Sequence, residues 1–247
     1  MSTKKPQRWK IMAWLVGALL LMLVLHLILL TATTSNPDYW ELVGPFDMDS
    51  EISIFTWYSA TILLFVPAVL LGFVGWVKKR EKEKFAWGWF VASGVLLFMS
   101  IDDGAMIHER LSTLNRVTGL QYVLDGINPY LLAWSWWVIY IPVLLVIAAI
   151  LFKWFLSLPR RMQVLMVVGA VVAALGQVGM EMISSYATNY TGEWVGPVWR
   201  GMQKFVGRVG LSIFLFAVID YCLSDSKVRK RIDALRSGNR NDAKRKS

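Results

Sequence analysis

From residue 11 to residue 31 the chain reads IMAWLVGALLLMLVLHLILLT, a stretch with no Asp, Glu, Lys or Arg. An α-helix rises roughly 1.5 Å per residue, so such a run crosses a hydrocarbon core of about 30 Å. The apolar residues come as a block rather than in amphipathic alternation, which is the pattern of a membrane span and not of a helix with one buried face. Five comparable blocks follow at 52–77, 85–107, 131–152, 162–186 and 203–223. The whole chain of 247 residues is 56% hydrophobic and only 17% charged, against about 25% charged in an ordinary soluble domain. The expected fold is therefore all-α, a polytopic membrane bundle of six transmembrane helices.

The basic residues orient that bundle. Lys and Arg in short loops mark the cytoplasmic side. Four lie in the N-terminal tail, five in KKREKEK (78–84), three between Lys153 and Arg161 and nine from Lys227 onward, so 21 of the 26 fall on one side of a six-span chain. The acids reverse the bias, with 11 of 17 on the opposite side. Both termini are thus expected inside, in a bacterial plasma membrane. The divisions are a basic N-tail (1–10), a transmembrane domain (11–223) and a basic C-tail (224–247) that passes from a short helix into disorder. The formal charge of +9 follows this sidedness, so the partners it implies are the bilayer and anionic lipids at the tails, not nucleic acid. Many of the 13 Trp fall near predicted span boundaries, where an amphipathic ring anchors. The apolar core of the first block exceeds that of a cleaved signal peptide, and no small-residue cleavage site follows, so it is expected to be retained. The lone Cys222 allows no intramolecular disulfide.

Charges inside the apolar blocks are the candidates for function. LLFMSIDDGAMIHER (96–110) brings Asp102 and Asp103 to the last turn of the third span, with His108 and Glu109 a turn beyond. On a continuous helix Asp102 and Glu109 share a face. Glu181 closes the fifth span at the same depth, after a helix rich in Gly169, Ala173, Ala174, Gly176 and Gly179, residues that let membrane helices pack tightly. Arg200, Lys204 and Arg208 form one stripe on the sixth span, with Arg208 roughly 12 Å deeper than Arg200. An isolated cation at that depth is costly, so it needs an acid or a wet cavity. Helices three, five and six are therefore expected to meet near the extracytoplasmic face with these charges interleaved, and His26 of the first span reaches a similar level. DMDSE (47–51) reads as a solvated acidic loop, with Ser50 or Asp49 capping the second helix. Pro67 and Pro142 are expected to kink helices two and four.

FDMDSEISIFTWYSA (46–60), LLFMSIDDGAMIHER (96–110) and GMEM (179–182) together resemble a family of uncharacterised bacterial multi-pass membrane proteins. The positions carrying the resemblance are Asp49, Glu51, Thr56, Trp57, Ser59, Ser100, Asp102, Asp103, His108, Glu109 and Glu181. It implies no established activity. In that family the last helix often starts with several Glu; here Gln203, Lys204 and Arg208 stand there, which puts a family-wide metal site in doubt.

The reading adopted is an inter-helix ion-pair network in a scaffold or partner subunit, which leaves room for a protein partner or a homo-oligomer. Two alternatives stand beside it. One is a metal-dependent membrane enzyme acting on a lipid-like substrate, with Zn, Mn or Fe on Asp102, Asp103, His108, Glu109 and Glu181. A haem between His26 and His108 is a variant of it. The other is ion, proton or lipid-headgroup binding or transport, with Arg200, Lys204 and Arg208 facing the acids.

Overall fold

A computed structural model describes residues 6–35, 44–108, 110, 136–180 and 195–235. These residues form helices and no strand. They are α1 (Pro6–Ser35), α2 (Ile54–Arg80), α3 (Ala86–Ala105), α4 (Trp136–Ser157), α5 (Arg160–Ala174, continued by a π-turn over Leu175–Gly179), α6 (Val195–Ser224) and α7 (226–235). Among them four are long and apolar enough to cross a membrane, namely Arg8–Ala32, Ile54–Arg80, Tyr140–Ser157 and Val198–Ser224. The helices α3 and α5 fill the two remaining apolar blocks of the sequence.

The ion pairs show how the helix ends meet. At one end Asp220 of α6 holds both Arg8 of α1 (2.8 Å) and Arg161 of α5 (3.0 Å), while Lys78 of α2 reaches Asp225 (2.9 Å) and Glu83 (3.1 Å). At the other end Asp47 and Asp49 lie beside α1 and α6, and Asp103 of α3 beside α6. Helices α1, α3 and α5 thus start at the first end and run one way, and α2 and α6 finish there and run the other. The basic loop 78–84 and the start of the C-tail share one end, as the charge count requires.

Helix α6 is the axis of packing. Its face bearing Leu215 meets α1 and α2 through Leu19, Leu23, Phe55 and Leu63, and its Val218 and Tyr221 join a second cluster with Leu71, Val74, Trp89 and Trp154. The approach of α5 to α6 is set by glycine. A Cβ on Gly176 would lie 2.2 Å from the Gly207 nitrogen, and one on Gly210 would lie 2.3 Å from the Ala173 nitrogen. The small residues expected to permit close packing do so at Gly169, Ala173 and Gly176, against Gly207 and Gly210 of α6. At Gly179 a Cβ would meet, among the described residues, only a Leu175 methyl, at 3.9 Å. On α4 the contact is an aromatic knob: Trp154 sits over Gly88, where a Cβ would lie 2.2 Å from its ring, and it meets Trp89 edge-on at 5.2 Å.

Besides the π-turn of α5, α2 and α3 each depart from regular helix. Residues Ser59–Phe65 form a π-turn immediately before Pro67, whose ring nitrogen cannot donate and whose ring crowds the carbonyl four residues back; the Val66 N–H reaches Thr61 instead. Farther along, α3 does not run on through His108: Met106 is left-handed (φ 54°, ψ 39°) and ends it. The seven-residue face shared by Asp102 and Glu109 therefore does not form as a continuous helix would make it, and Glu109 lies outside the described residues.

The first part of the C-tail is a short helix, as expected. Helix α7 buries Val228 and half-buries Ile232 against the bundle, and Lys227 bridges Glu83 (3.3 Å) and Glu81 (3.5 Å). Burial pushes the Asp225 carboxyl up, but hydrogen bonds from Lys78 and the Val228 amide outweigh it and hold Asp225 below its usual value.

Replacing Gly176 by Ala forces two backbones apart, an overpacking cost of roughly 1–3 kcal/mol. The unfolding midpoint in detergent is expected to fall clearly for Gly176→Ala. It should hold or rise for Gly94→Ala, where none of the described residues lies within 4 Å of the added methyl. Equal effects would show that the α5–α6 contact is not set by backbone approach.

Candidate functional site at the acidic end of the bundle

Helical spacing puts Arg200, Lys204 and Arg208 on one stripe of α6, and each finds a carboxylate. Arg200 Nε donates to Asp49 (2.6 Å), Lys204 pairs with Glu51 and donates to the Asp49 carbonyl (3.2 Å), and Arg208 donates to Asp103 (2.7 Å). Burial deepens along the stripe: the Arg200 side chain is 36% exposed, Lys204 13% and Arg208 6%. The second oxygen of Asp103 accepts from the Ser59 hydroxyl, at the first residue of the π-turn. Arg208 also lies over the Phe55 ring, 5.8 Å from its centroid, while its Nε has no hydrogen-bond partner among the described residues.

The DMDSE segment is therefore not a solvated loop. Its two carboxylates at 49 and 51 neutralise α6, because cations half-withdrawn from water draw acids onto themselves. The cap of α2 is Ser53, which accepts from the Thr56 amide (3.2 Å), rather than Ser50 or Asp49. Ser50 contributes its carbonyl to the Thr56 hydroxyl.

Asp102 and Asp103 point to different partners, as neighbours about 100° apart on a helix must. The left-handed Met106 turns the chain back so that the His108 amide donates to Asp102 (2.8 Å) and its Nδ1 lies 3.3 Å from the same carboxylate. Tyr140 of α4 lies beside Asp102 as well and interacts with its carboxylate. This joins α3 to α4, a helix otherwise little engaged with the bundle. Of the five residues expected to bind metal, Asp102 and His108 meet, Asp103 is committed to Arg208 and Ser59, and Glu109 and Glu181 lie outside the described residues. Among the described residues no three His, Cys, Asp or Glu gather closely enough to hold an ion.

His26 does reach this level, but its partner is Asp47. The imidazole is 3% exposed and its Nδ1 lies 3.1 Å from the Asp47 carboxylate and 3.3 Å from the Met48 amide. One ring nitrogen cannot donate to the first and accept from the second at once, and the shorter contact is the one to the carboxylate. Nε2 has no hydrogen-bond partner among the described residues and abuts Gly201, where an added Cβ would lie 2.7 Å from it. For Asp47 burial pushes the pKa up, but hydrogen bonds from His26 and the Asp49 amide, with the charge of Lys204, leave it below the ordinary value.

Asp47, Asp49, Glu51 and Ser59 were not assigned to the cluster by depth along the helices, since three of them belong to a loop. Asp49, Glu51, Thr56, Ser59 and Asp103 stand among the positions quoted for the expected resemblance and all five take part in these contacts, whereas Asp47 carried no sequence signal of that kind.

Asp103→Asn leaves Arg208 as a buried charge without a counter-ion, which costs about 3–5 kcal/mol. Asp103→Asn combined with Arg208→Met is expected to recover much of that loss in thermal unfolding; no recovery would mean that the two side chains do not act as a pair. A carboxyl whose folded pKa is depressed stabilises the fold above its unfolded value and loses that contribution as pH falls through the folded one. Stability should therefore drop below about pH 3.8, and Asp47→Asn should make that acid limb shallower. An unchanged limb would exclude Asp47 as a contributor.

No curated protein and no solved structure matches this chain. Residues 11–219, which include every helix that carries the charged network, match the family described as a domain of unknown function, DUF8692, and the chain belongs to that family.

Proposed function

We propose that this is a six-span protein of a bacterial inner membrane with both termini in the cytoplasm, and that its acidic end is an ion-pair lock holding a scaffold or partner subunit in register. The observation that carries this reading is that all three cations of the α6 stripe are matched by carboxylates from the 47–51 segment and α3. Helix α6 commits its cations to α2's leading segment and to α3. The opposed helix directions, with basic groups at one end, support the topology.

Topology is tested by single cysteines in a Cys222→Ala background. Ser50→Cys is expected to react with an impermeant maleimide on intact cells, and Ser226→Cys only after permeabilisation; the reverse result would invert the assignment. The lock is tested by exchanging charges. Lys204→Glu and Glu51→Lys should each lower the unfolding midpoint, and the double exchange should restore it. If the double exchange is as unstable as the singles, the pair does not set register.

A second reading, a metal-dependent membrane enzyme, is favoured by the Asp102–His108 contact, since a carboxylate on Nδ1 is how many ligating imidazoles are oriented. Elemental analysis of purified protein decides it. Stoichiometric metal lost in both His108→Ala and Glu181→Gln supports the site, and a metal-free parent refutes it.

A further inference from the structure

At the basic end two guanidiniums converge on one indole. Arg80 lies over the Trp76 ring at 4.3 Å and Arg231, from α7, at 4.9 Å. The first contact follows from i,i+4 spacing on α2; the second requires α7 to dock. Several neighbours are paired, Lys78 with Asp225 and Glu83, Lys227 with Glu81 and Glu83 and Arg229 with Asp233, while Lys79 and Lys230 are exposed and, among the described residues, meet neither a carboxylate nor the indole. Among the described residues neither Arg80 nor Arg231 has a carboxylate, and both side chains are exposed. The ring face attracts each cation but satisfies none of its N–H donors, and it does nothing to relieve their mutual repulsion. Two forked donors beside an aromatic plate suit a phosphate monoanion.

We infer that Arg80, Arg231 and Trp76 form a cradle for the phosphate of an anionic phospholipid, through which the membrane holds α7 against the bundle. A lipid is the source because of where the cradle lies. Arg80 is the last residue of the apolar helix Ile54–Arg80 and Trp76 is one turn inside it, with Trp87 exposed nearby at the start of α3. That is the depth of a headgroup layer. The inference rests on the membrane reading above, though not on which leaflet this end faces.

The full chain in detergent is titrated with dioleoyl phosphatidylglycerol or dioleoyl phosphatidylcholine, and retained lipid is counted by native mass spectrometry. Preferential retention of phosphatidylglycerol is expected, weakened on the order of tenfold in Arg80→Ala/Arg231→Ala. Retention should persist in Lys79→Ala/Lys230→Ala, which removes the same charge from adjacent exposed positions. Equal loss in both double variants would mean diffuse attraction and overturn the cradle, as would equal retention of the two lipids. Displacement by inorganic phosphate at matched concentration would assign the site to a soluble anion and overturn the lipid. Arg80→Lys and Arg231→Lys keep the charge and remove the fork; weaker retention in each supports the cradle, and unchanged retention overturns it. An alkaline carbonate wash of the parent separates the two readings. A chain that stays in the pellet yet shows no lipid preference sinks this inference alone, whereas a chain that is extracted sinks the membrane reading with it.

Discussion

A guanidinium withdrawn from water must have its charge answered within a few ångströms, and Arg208 imposes that condition on the surrounding helices. Its partner Asp103 sits on α3, and Ser59 on α2 completes the carboxylate's hydrogen bonding. Three helices are thereby committed to one depth and one rotation. Apolar packing alone would tolerate sliding by a residue or a turn, since Leu against Leu is nearly the same after a shift and lipid tails compete for the same surface. An ion pair does not tolerate it, because the penalty for a separated buried charge is several kcal/mol. The less buried pairs of Lys204 and Arg200 extend the same register upward into the 47–51 segment.

The opposite end uses the same device differently. Asp220 lies near the end of α6 and gathers Arg8 and Arg161, while Lys78 gathers Asp225 and Glu83. Each of these central charges binds side chains from two other segments, so α1, α5, the 78–84 loop and the start of α7 are fixed by a few contacts. Between the two ends the bundle relies on shape. The α5–α6 seam is as close as backbone atoms allow, and α4 is held at Trp154 over Gly88 and at Tyr140 beside Asp102.

The two π-turns mark where regular helix gives way to these demands. The first accommodates Pro67 and presents Ser59 to Asp103. The second, Leu175–Gly179, contains Gly176, at which α5 comes closest to Gly207, and the Gln177 carbonyl, which accepts a 3.5 Å hydrogen bond from Gln203. In both, an extra residue in the turn shifts the side chains that follow, so the faces of α2 and α5 that meet their partners are not those an ideal helix would offer.

What the sequence determined by itself was everything that depends on local composition. Uncharged apolar blocks dictate helices long enough for a bilayer, basic loops gather at one end, and small residues on the fifth helix permit a close neighbour. Side-chain partners were a different matter. Arg208 was expected among Asp102, Asp103, Glu109 and Glu181, and of these Asp103 alone is seen to meet it; Lys204 and Arg200 turned to Glu51 and Asp49, in a segment that hydropathy had assigned to water. His26 found Asp47 for the same reason. Depth along a helix can be counted from residue numbers, but which loop folds over which helix, and where a left-handed Met106 ends α3, depends on contacts between residues far apart in the chain. Only the tertiary structure decides those, because the cations that make Asp49, Glu51 and Asp103 worth burying are supplied from more than a hundred positions away.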